Sequence, residues 1–547
     1  MTDHEPDGEW AGERRSFTSR TPVNDNPDQV VYRRGFVTRH QVTGWRFVMR
    51  RIASGIALHD TRMLVDPLRT QSRAVMMGVL IVVTGLAGCF VFSLIRPNGQ
   101  VGNNAVLADR STAALYVRVG DDLHPVLNLT SARLIVGHPV NPTTVKSSEL
   151  DRFPRGNLIG IPGAPERMVQ STSHDANWTV CDAVSEPTQG GHAAYSTGVT
   201  VMAGPPDSHG ARAATLESGQ AVLVDFTNDK GTNTWLLWDG RRSQIDLANH
   251  AVTTALGLGV DVPAPRPIAS GLFNALPEAP LLAAPAIPNA GSPANFGVPA
   301  PIGAVVVSYA LDQSSSGAVR YYAVLPDGLQ PISPVLAAIL RNTNSYGLDQ
   351  PPRLGADEVA KLPVSRMLDT TRYPDRQVTI VDAAKNPVTC AYWSKPAGAA
   401  TSSLSLLSGS ALPVSDAVRT LDLVGGAPGG SQAIATRVAL APGTGYFTET
   451  VGGGPTSPGT GALFWVSDTG VRYGIDNEAD SASGAAGHGK TVEALGLNAP
   501  AVPITWSMLS LFAAGPTLSR ADALLAHDGL PPDSRPGRPA SAEGEHR

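Results

Sequence analysis

The longest apolar run in the chain is Ala74 to Ile95, AVMMGVLIVVTGLAGCFVFSLI, and it contains no charge. As a helix it would span about 33 Å, the thickness of a bilayer's hydrocarbon core. It is apolar on every side, unlike a soluble helix with one core-facing stripe. It is also longer than the apolar part of a cleaved leader and begins far into the chain. The pattern predicts a transmembrane helix over 74–95, with a short segment (1–73) before it and a long one after it.

A different period occupies residues 38–60. Val42, Trp45, Val48 or Met49, Ile52 and Ile56 recur at helix spacing, while Arg46, Arg50 and Arg51 take other faces. Alone in water such an amphipathic helix is marginal, so it packs on a partner or on the membrane surface. Asp66-Pro67 is expected to break the pattern before the membrane helix. Residues 1–30 are polar with little to bury, and are expected to be disordered.

Beyond the membrane run one pattern occurs four times: an apolar strand, a Gly-containing turn, a short strand and then a helix. The copies start at Leu115-Tyr116-Val117-Arg118-Val119-Gly120, Trp235-Leu236-Leu237-Trp238-Asp239-Gly240, Tyr321-Tyr322-Ala323-Val324-Leu325, and Leu463-Phe464-Trp465-Val466. Further strands precede the last three, at 221–226, 304–309 and 446–451. A unit of three strands and one helix cannot bury its own apolar face, so the copies should pack together. The turn glycines Gly120, Gly240, Gly328 and Gly470 are unevenly spaced, which excludes a uniform solenoid. Larger inserts are expected at about 262–301, rich in Pro and Ala, and at about 354–430, with Cys390 and Trp393. The predicted fold class is α+β: a single-pass transmembrane helix (74–95), an elongated body (96–530) of four interrupted βββα-like units around a central region, and a polar, Pro-rich, disordered tail (531–547).

Charge adds orientation. Residues 1–73 carry twelve Arg and no Lys against nine acidic residues, net +3, which leaves −8 for the rest of a chain whose total is −5. The positive-inside bias therefore puts the short segment in the cytoplasm and exports the long one. A mildly acidic exported part is not a nucleic-acid binder. The basic juxtamembrane stretch has the charge to meet anionic headgroups.

Cysteine usage fits that orientation. Cys89 lies inside the membrane run, so Cys181 and Cys390 are the exported pair. In an oxidising compartment they favour one disulfide, with two buried thiols as the alternative. No CxxC or HxxxH spacing suggests a metal, and no metal ligands are assigned.

One motif suggests an enzyme. Gly484-Ala485-Ala486-Gly487-His488-Gly489-Lys490-Thr491 fits the phosphate-loop pattern G-x-x-x-x-G-K-[ST]. Such a loop must follow a buried strand directly, yet residues 476–483 are polar, and no apolar run ending in Asp follows to hold a metal. The segment is also placed away from the cytoplasmic ATP pool. We read Gly484, Gly489, Lys490 and Thr491 as a chance match, with Lys490 and Thr491 starting a helix. The histidines are scattered. Asp239, Asp327 and Asp468 suit turns. Tyr116, Trp235, Tyr321 and Phe464 are core residues, with sugar stacking as the alternative if they were exposed. No catalytic residue is assigned.

The stretches Gln41-Val42-Thr43-Gly44-Trp45-Arg46-Phe47, Asp66-Pro67-Leu68-Arg69, Arg96-Pro97-Asn98-Gly99, His124-Pro125-Val126-Leu127-Asn128-Leu129, Gly160-Ile161-Pro162-Gly163-Ala164-Pro165 and Gly515-Pro516-Thr517-Leu518-Ser519-Arg520 resemble the EccB membrane component of mycobacterial ESX (type VII) secretion systems. The resemblance covers nearly the whole chain. Arg33-Arg34-Gly35-Phe36-Val37-Thr38 is most similar to the paralogue of the third ESX system, linked to iron and zinc acquisition. The resemblance implies a structural subunit of an inner-membrane complex with EccC, the motor ATPase, and with EccD and EccE. It implies a cytoplasmic N-terminus that docks those partners, for which Trp45, Arg46, Arg50, Arg51 and Arg62 are the candidates. It also implies a periplasmic body that pairs with another copy, with repeats around a central domain joined by one disulfide. The family's repeats resemble a phage endolysin's cell-wall-binding subunit, so a cell-wall-binding module is one alternative. Some family members are described as ATPases, so a nucleotide hydrolase is the other; ATP and Mg would be its cofactors, and otherwise none is implied.

Overall fold

The structure is a computed structural model and describes residues 38–59, 67–95, 101–185, 195–259, 262–309, 319–423, 434–457, 461–476 and 490–527. Residues 1–37, Arg62, Gly484, Gly489 and the tail 531–547, for which the sequence raised expectations, lie outside the described residues. The chain divides into two compact units, Met1–Asn98 and Gly99–Arg547.

The first unit holds two helices. Helix α1 (Arg39–Leu58) starts at a capping box: Thr38 Oγ1 accepts from the Gln41 N–H at 3.4 Å, and Gln41 Oε1 accepts from the Thr38 N–H at 3.0 Å. These bonds satisfy two N–H groups at the helix start. Helix α2 (Pro67–Ile95) is the one helix among the described residues long and apolar enough to cross a membrane. It begins earlier than the uncharged run. Pro67 is its first residue rather than a break ahead of it, because proline's fixed φ and missing N–H suit a first turn.

Among the described residues the second unit contains five sheets, four of them built alike. In the first, Val106–Asp109, Leu115–Val119 and Asp122–Pro125 form an antiparallel meander. Helix α3 (Leu129–Val136) follows, and Thr143–Val145 returns parallel to the first strand. After α4 (Ser147–Leu150) the chain passes parallel to the third strand at Leu123 and Arg155.

The second sheet has the same order: Gln220–Asn228, Gly231–Trp238 and Arg241–Gln244, then α5 (His250–Ala255), the parallel return Arg266–Pro267, α6 (Ser270–Ala275), and Glu278–Ala279 beside the third strand. The third has Val305–Tyr309, Val319–Leu325 and Gly328–Ile332, then α7 (Pro334–Thr343), Arg353–Leu354, and α8 (Ala356–Lys361). The fourth has Tyr446–Val451, Leu463–Val466 and Val471–Ile475, then α9 (Lys490–Leu495), Val502–Thr505, α10 (Trp506–Leu509) and Ala513–Ala514.

The local chemistry explains these boundaries. Asp239 and Gly240 join two strands with φ of 43° and 68°, the double positive φ of a type I′ hairpin turn. Helix α7 has Ser333 as its N-cap, accepting from the Leu336 N–H at 3.2 Å, and Pro334 in its first turn.

Two stretches expected to be inserts belong partly to these sheets. Arg266–Pro267, α6 and Glu278–Ala279 belong to the second, which Thr379–Ile380 also joins in parallel to its first strand, and Arg353–Leu354 with α8 belongs to the third. Two-residue strands carry no readable alternation, so hydrophobic patterning cannot mark them.

The fifth sheet has seven strands in the order Thr420–Asp422, Arg437–Ala439, Tyr195–Ala203, Ala176–Ser185, Val388–Lys395, Ser403–Gly409 and Ala214–Thr215. Three apolar clusters connect the sheets. One joins this seven-stranded sheet to the second and fourth through Trp178, Leu237, Leu272 and Phe512. Another joins the second to the third through Leu236, Leu256 and Leu336. The last joins the first to the fourth through Val117, Leu134, Trp465 and Leu495. The second and fourth sheets therefore contact the seven-stranded one directly, and the third and first pack onto those two.

Candidate functional site

Three places were candidates from the sequence, and the structure treats each differently. The first is α1. Trp45 is 65% exposed, and Phe47, Met49, Ile52 and Ile56 are exposed as well. Arg46, Arg50 and Arg51 lie on the same helix and are exposed. The helix therefore offers a mixed apolar and cationic surface, the composition of a docking element.

The second is the cysteine pair. Cys181 and Cys390 stand directly opposite each other on neighbouring antiparallel strands of the seven-stranded sheet, and they are bonded. Both are fully buried. The bond closes a sequence separation of 209, which in the chain-entropy model corresponds to about 5 kcal/mol at most. Cys89 is the free cysteine among the described residues.

Beside the disulfide lies an ion pair that the sequence does not announce. Arg266 Nη2 is 3.0 Å from Asp182 Oδ2, with side chains 2% and 0% exposed. Arg266 also donates to Thr389 Oγ1 at 2.8 Å, to the Pro387 carbonyl at 3.1 Å and to the Pro267 carbonyl at 3.2 Å. Asp182 accepts from the Ala269 N–H at 2.8 Å. Burial pulls the guanidinium below its ordinary pKa, and Asp182 opposes that pull. Asp182 follows Cys181 and Thr389 precedes Cys390, so covalent bond and ion pair share one place. Arg266 comes from the return strand of the second sheet, which is thereby tied to the seven-stranded one. A lone Asp within the apolar strand Thr179-Val180-Cys181-Asp182-Ala183 was a signal that a buried cation must face it. Its partner, 84 positions away, had no signal of its own.

The third candidate is the phosphate-loop match. Lys490 and Thr491 are the first residues of α9. Thr491 is 4% exposed, packed under the helix rather than open to a cation. Among the described residues, the strand before it ends at Ile475. Among the described residues no group of three or more His, Cys, Asp or Glu could hold a metal ion. Asp239 and Asp468 serve loops: Asp239 occupies the hairpin turn, and Asp468 Oδ2 accepts from the Gly443 N–H at 2.8 Å.

A helix able to cross a membrane, followed by this body of five sheets, is the setting in which comparison with known proteins becomes informative. The family model described as "Type VII secretion system ESX-1, transport TM domain B" (T7SS_ESX1_EccB) matches residues 34–532. The chain belongs to the EccB family. It is 76% identical, over 100% of its length and 100% of the relative's, to a Mycobacterium tuberculosis protein named ESX-3 secretion system ATPase EccB3. It is similar to the EccB chain in the structure titled "Structure of EccB3 dimer from the ESX-3 core complex", with a TM-score of 0.66, 60% identity, and coverage of 77% of this chain and 100% of that one. It is also similar to a chain of an intact ESX-5 inner membrane complex, with a TM-score of 0.67, 37% identity, and coverage of 93% of this chain and 99% of that one. EccB membership and the ESX-3 likeness thus agree with the sequence motifs.

Proposed function

We propose that this EccB chain is a structural subunit of an inner-membrane type VII secretion complex of the ESX-3 kind, supporting protein export that serves iron and zinc acquisition. The observation that carries the reading is the match to a chain of the intact ESX-5 inner membrane complex over 93% of this sequence. In this reading α2 is the single membrane anchor and the basic N-terminus is cytoplasmic, as the Arg bias suggests. The body beyond it is periplasmic, an elongated set of four repeats around a central domain, and it pairs with a second copy. The exposed surface of α1, with Trp45, Arg46, Arg50 and Arg51, docks the cytoplasmic partners EccC, EccD and EccE.

The reading is non-enzymatic, although the relatives' names contain the word ATPase. What supports it is the burial of the Thr491 side chain at the start of α9 and the polar sequence of residues 476–483 ahead of the motif. Isolation of the tagged chain from membranes in mild detergent tests the reading. Co-purification of the motor ATPase and a second copy is the expected result. Recovery of the chain alone, together with normal export after its deletion, would overturn it. Hydrolysis that disappears on Lys490→Ala would restore the enzyme reading.

A further inference from the structure

Trp506 differs from its counterparts in the other like-built sheets. In each of these sheets a short helix follows the parallel return strand. Its first residue is Ser147, Ser270 and Ala356 in the first three, and Trp506 in the fourth. That tryptophan is 53% exposed, while Met508 and Leu509 on the same helix are fully buried. An indole left half in water forgoes a large apolar burial, so the fold does not need it there.

The ring is nevertheless held in place. The Arg472 guanidinium sits 5.1 Å from its centroid and is fixed by a hydrogen bond to the Phe512 carbonyl at 3.1 Å. The Phe464 ring lies 6.1 Å away, tilted. A braced, exposed indole is a preformed platform, not a mobile side chain.

A pocket of about 270 Å³ opens beside it, between α6 and α10. Its lining includes Gly271, where a Cβ would come within 3.0 Å of the Val199 side chain and 3.2 Å of the Leu511 side chain, so those side chains already fill the space above the glycine. Its polar lining is Ser270, Asn274, Ser507 and Ser510, and no charged residue contributes. Among the described residues, the Ser270 hydroxyl, the Asn274 amide and the Trp506 indole N–H have no hydrogen-bond partner.

The lining carries no charge, and the nearby Arg472 is engaged by the Trp506 ring and the Phe512 carbonyl, so the pocket selects neither an anion nor a cation. Its ligand must be neutral, carry several hydroxyls and present one flat apolar face. We propose that the pocket binds a pyranose ring of a glycan. The ring's C–H face stacks on Trp506, and its hydroxyls meet the Asn274 amide and the Ser270 and Ser507 hydroxyls. The site takes a single ring, and its open side lets the rest of a glycan run into solvent. This inference does not depend on the secretion-complex reading, and either can fail without the other.

The test uses the full chain in a detergent without a sugar head group. Tri-N-acetylchitotriose and maltotriose are titrated separately by calorimetry and by tryptophan emission. Saturable binding of at least one saccharide is expected. Trp506→Ala should weaken it roughly tenfold, Asn274→Ala roughly threefold, and Trp506→Phe less than Trp506→Ala. An unchanged thermal transition shows that each variant is folded. Binding of neither saccharide, or equal binding by folded Trp506→Ala, would overturn the proposal. Loss of a dimer on light scattering in Trp506→Ala would also overturn it, because a second copy would then cover the ring.

Discussion

The seven-stranded sheet and the four like-built sheets solve the same problem in opposite ways. Each like-built sheet takes its meander from one short stretch of chain and buries an apolar face against its neighbours. The seven-stranded sheet assembles Ala176–Ser185 and Tyr195–Ala203 with strands from 388 onward. Among the described residues it is the one with a disulfide and a buried ion pair. Closing a long loop costs more chain entropy than closing a short one, so strong fixed bonds matter most where the pairing is most distant. Covalent and ionic staples therefore mark the sheet that local sequence cannot hold together.

The sharpest way to break this comparison is to remove the covalent staple. Replacing both Cys181 and Cys390 by Ala should cost up to about 5 kcal/mol. Hydrogen exchange should report the loss chiefly in 176–203 and 388–409, with the first and third sheets less affected. Uniform loss of protection across all five sheets would contradict the division.

Next in size is the ion pair. Asp182→Ala leaves the Arg266 charge buried alone, and a loss of about 3–5 kcal/mol in urea unfolding is expected. Asp182→Leu combined with Arg266→Met should cost clearly less than Asp182→Ala, since no charge is then stranded.

The junction between the two kinds of sheet gives a smaller effect. Gly240 has φ of 68°, and a Cβ there would lie 2.2 Å from the Leu404 carbonyl oxygen on the seven-stranded sheet. Gly240→Val should lower stability by roughly 1–3 kcal/mol, seen as a lower thermal midpoint.

The smallest effect belongs to the first sheet and appears only in acid. Asp109 Oδ1 accepts from the Ser111 N–H at 2.9 Å and from the Ser147 hydroxyl at 2.8 Å, and these bonds hold its pKa below the usual 3.8. A lowered folded pKa means its contribution is complete above the unfolded value and is lost as the pH falls through the folded one. Asp109→Asn should therefore reduce the acid sensitivity of the first sheet below about pH 4 and leave the seven-stranded sheet's unchanged.

The same contrast explains what the sequence could show. The membrane run, the period of α1 and the strand–turn–strand stretches at Gly120, Gly240, Gly328 and Gly470 are written in neighbouring residues. Turn chemistry and hydrophobic alternation act over a few positions, so they were legible. The parallel returns Arg266–Pro267 and Arg353–Leu354 were not, because two residues hold no period. The pairing of Ala176–Ser185 with Val388–Lys395 left no mark except the two cysteines. Arg266 looked like part of a Pro/Ala connector, and nothing near it suggested Asp182. Trp506 carries no such signal, because one aromatic in a short helix reads as core until its exposure is known.

The strand order of the seven-stranded sheet also dictates a timetable. A chain made from its N-terminus has the whole first sheet in hand once Arg155 is out. The strand Ala176–Ser185 must wait for its neighbour until Val388–Lys395 has been synthesised. At ordinary elongation rates that wait is on the order of tens of seconds. Throughout it, the two-stranded ribbon 176–203 carries an open edge with Trp178 and Val180 still unburied, and Cys181 remains a thiol. A nascent edge of that kind is a template for pairing with another chain. Production of this protein is therefore most vulnerable in the interval between those two strands, and a holding factor that binds nascent apolar edges would act there.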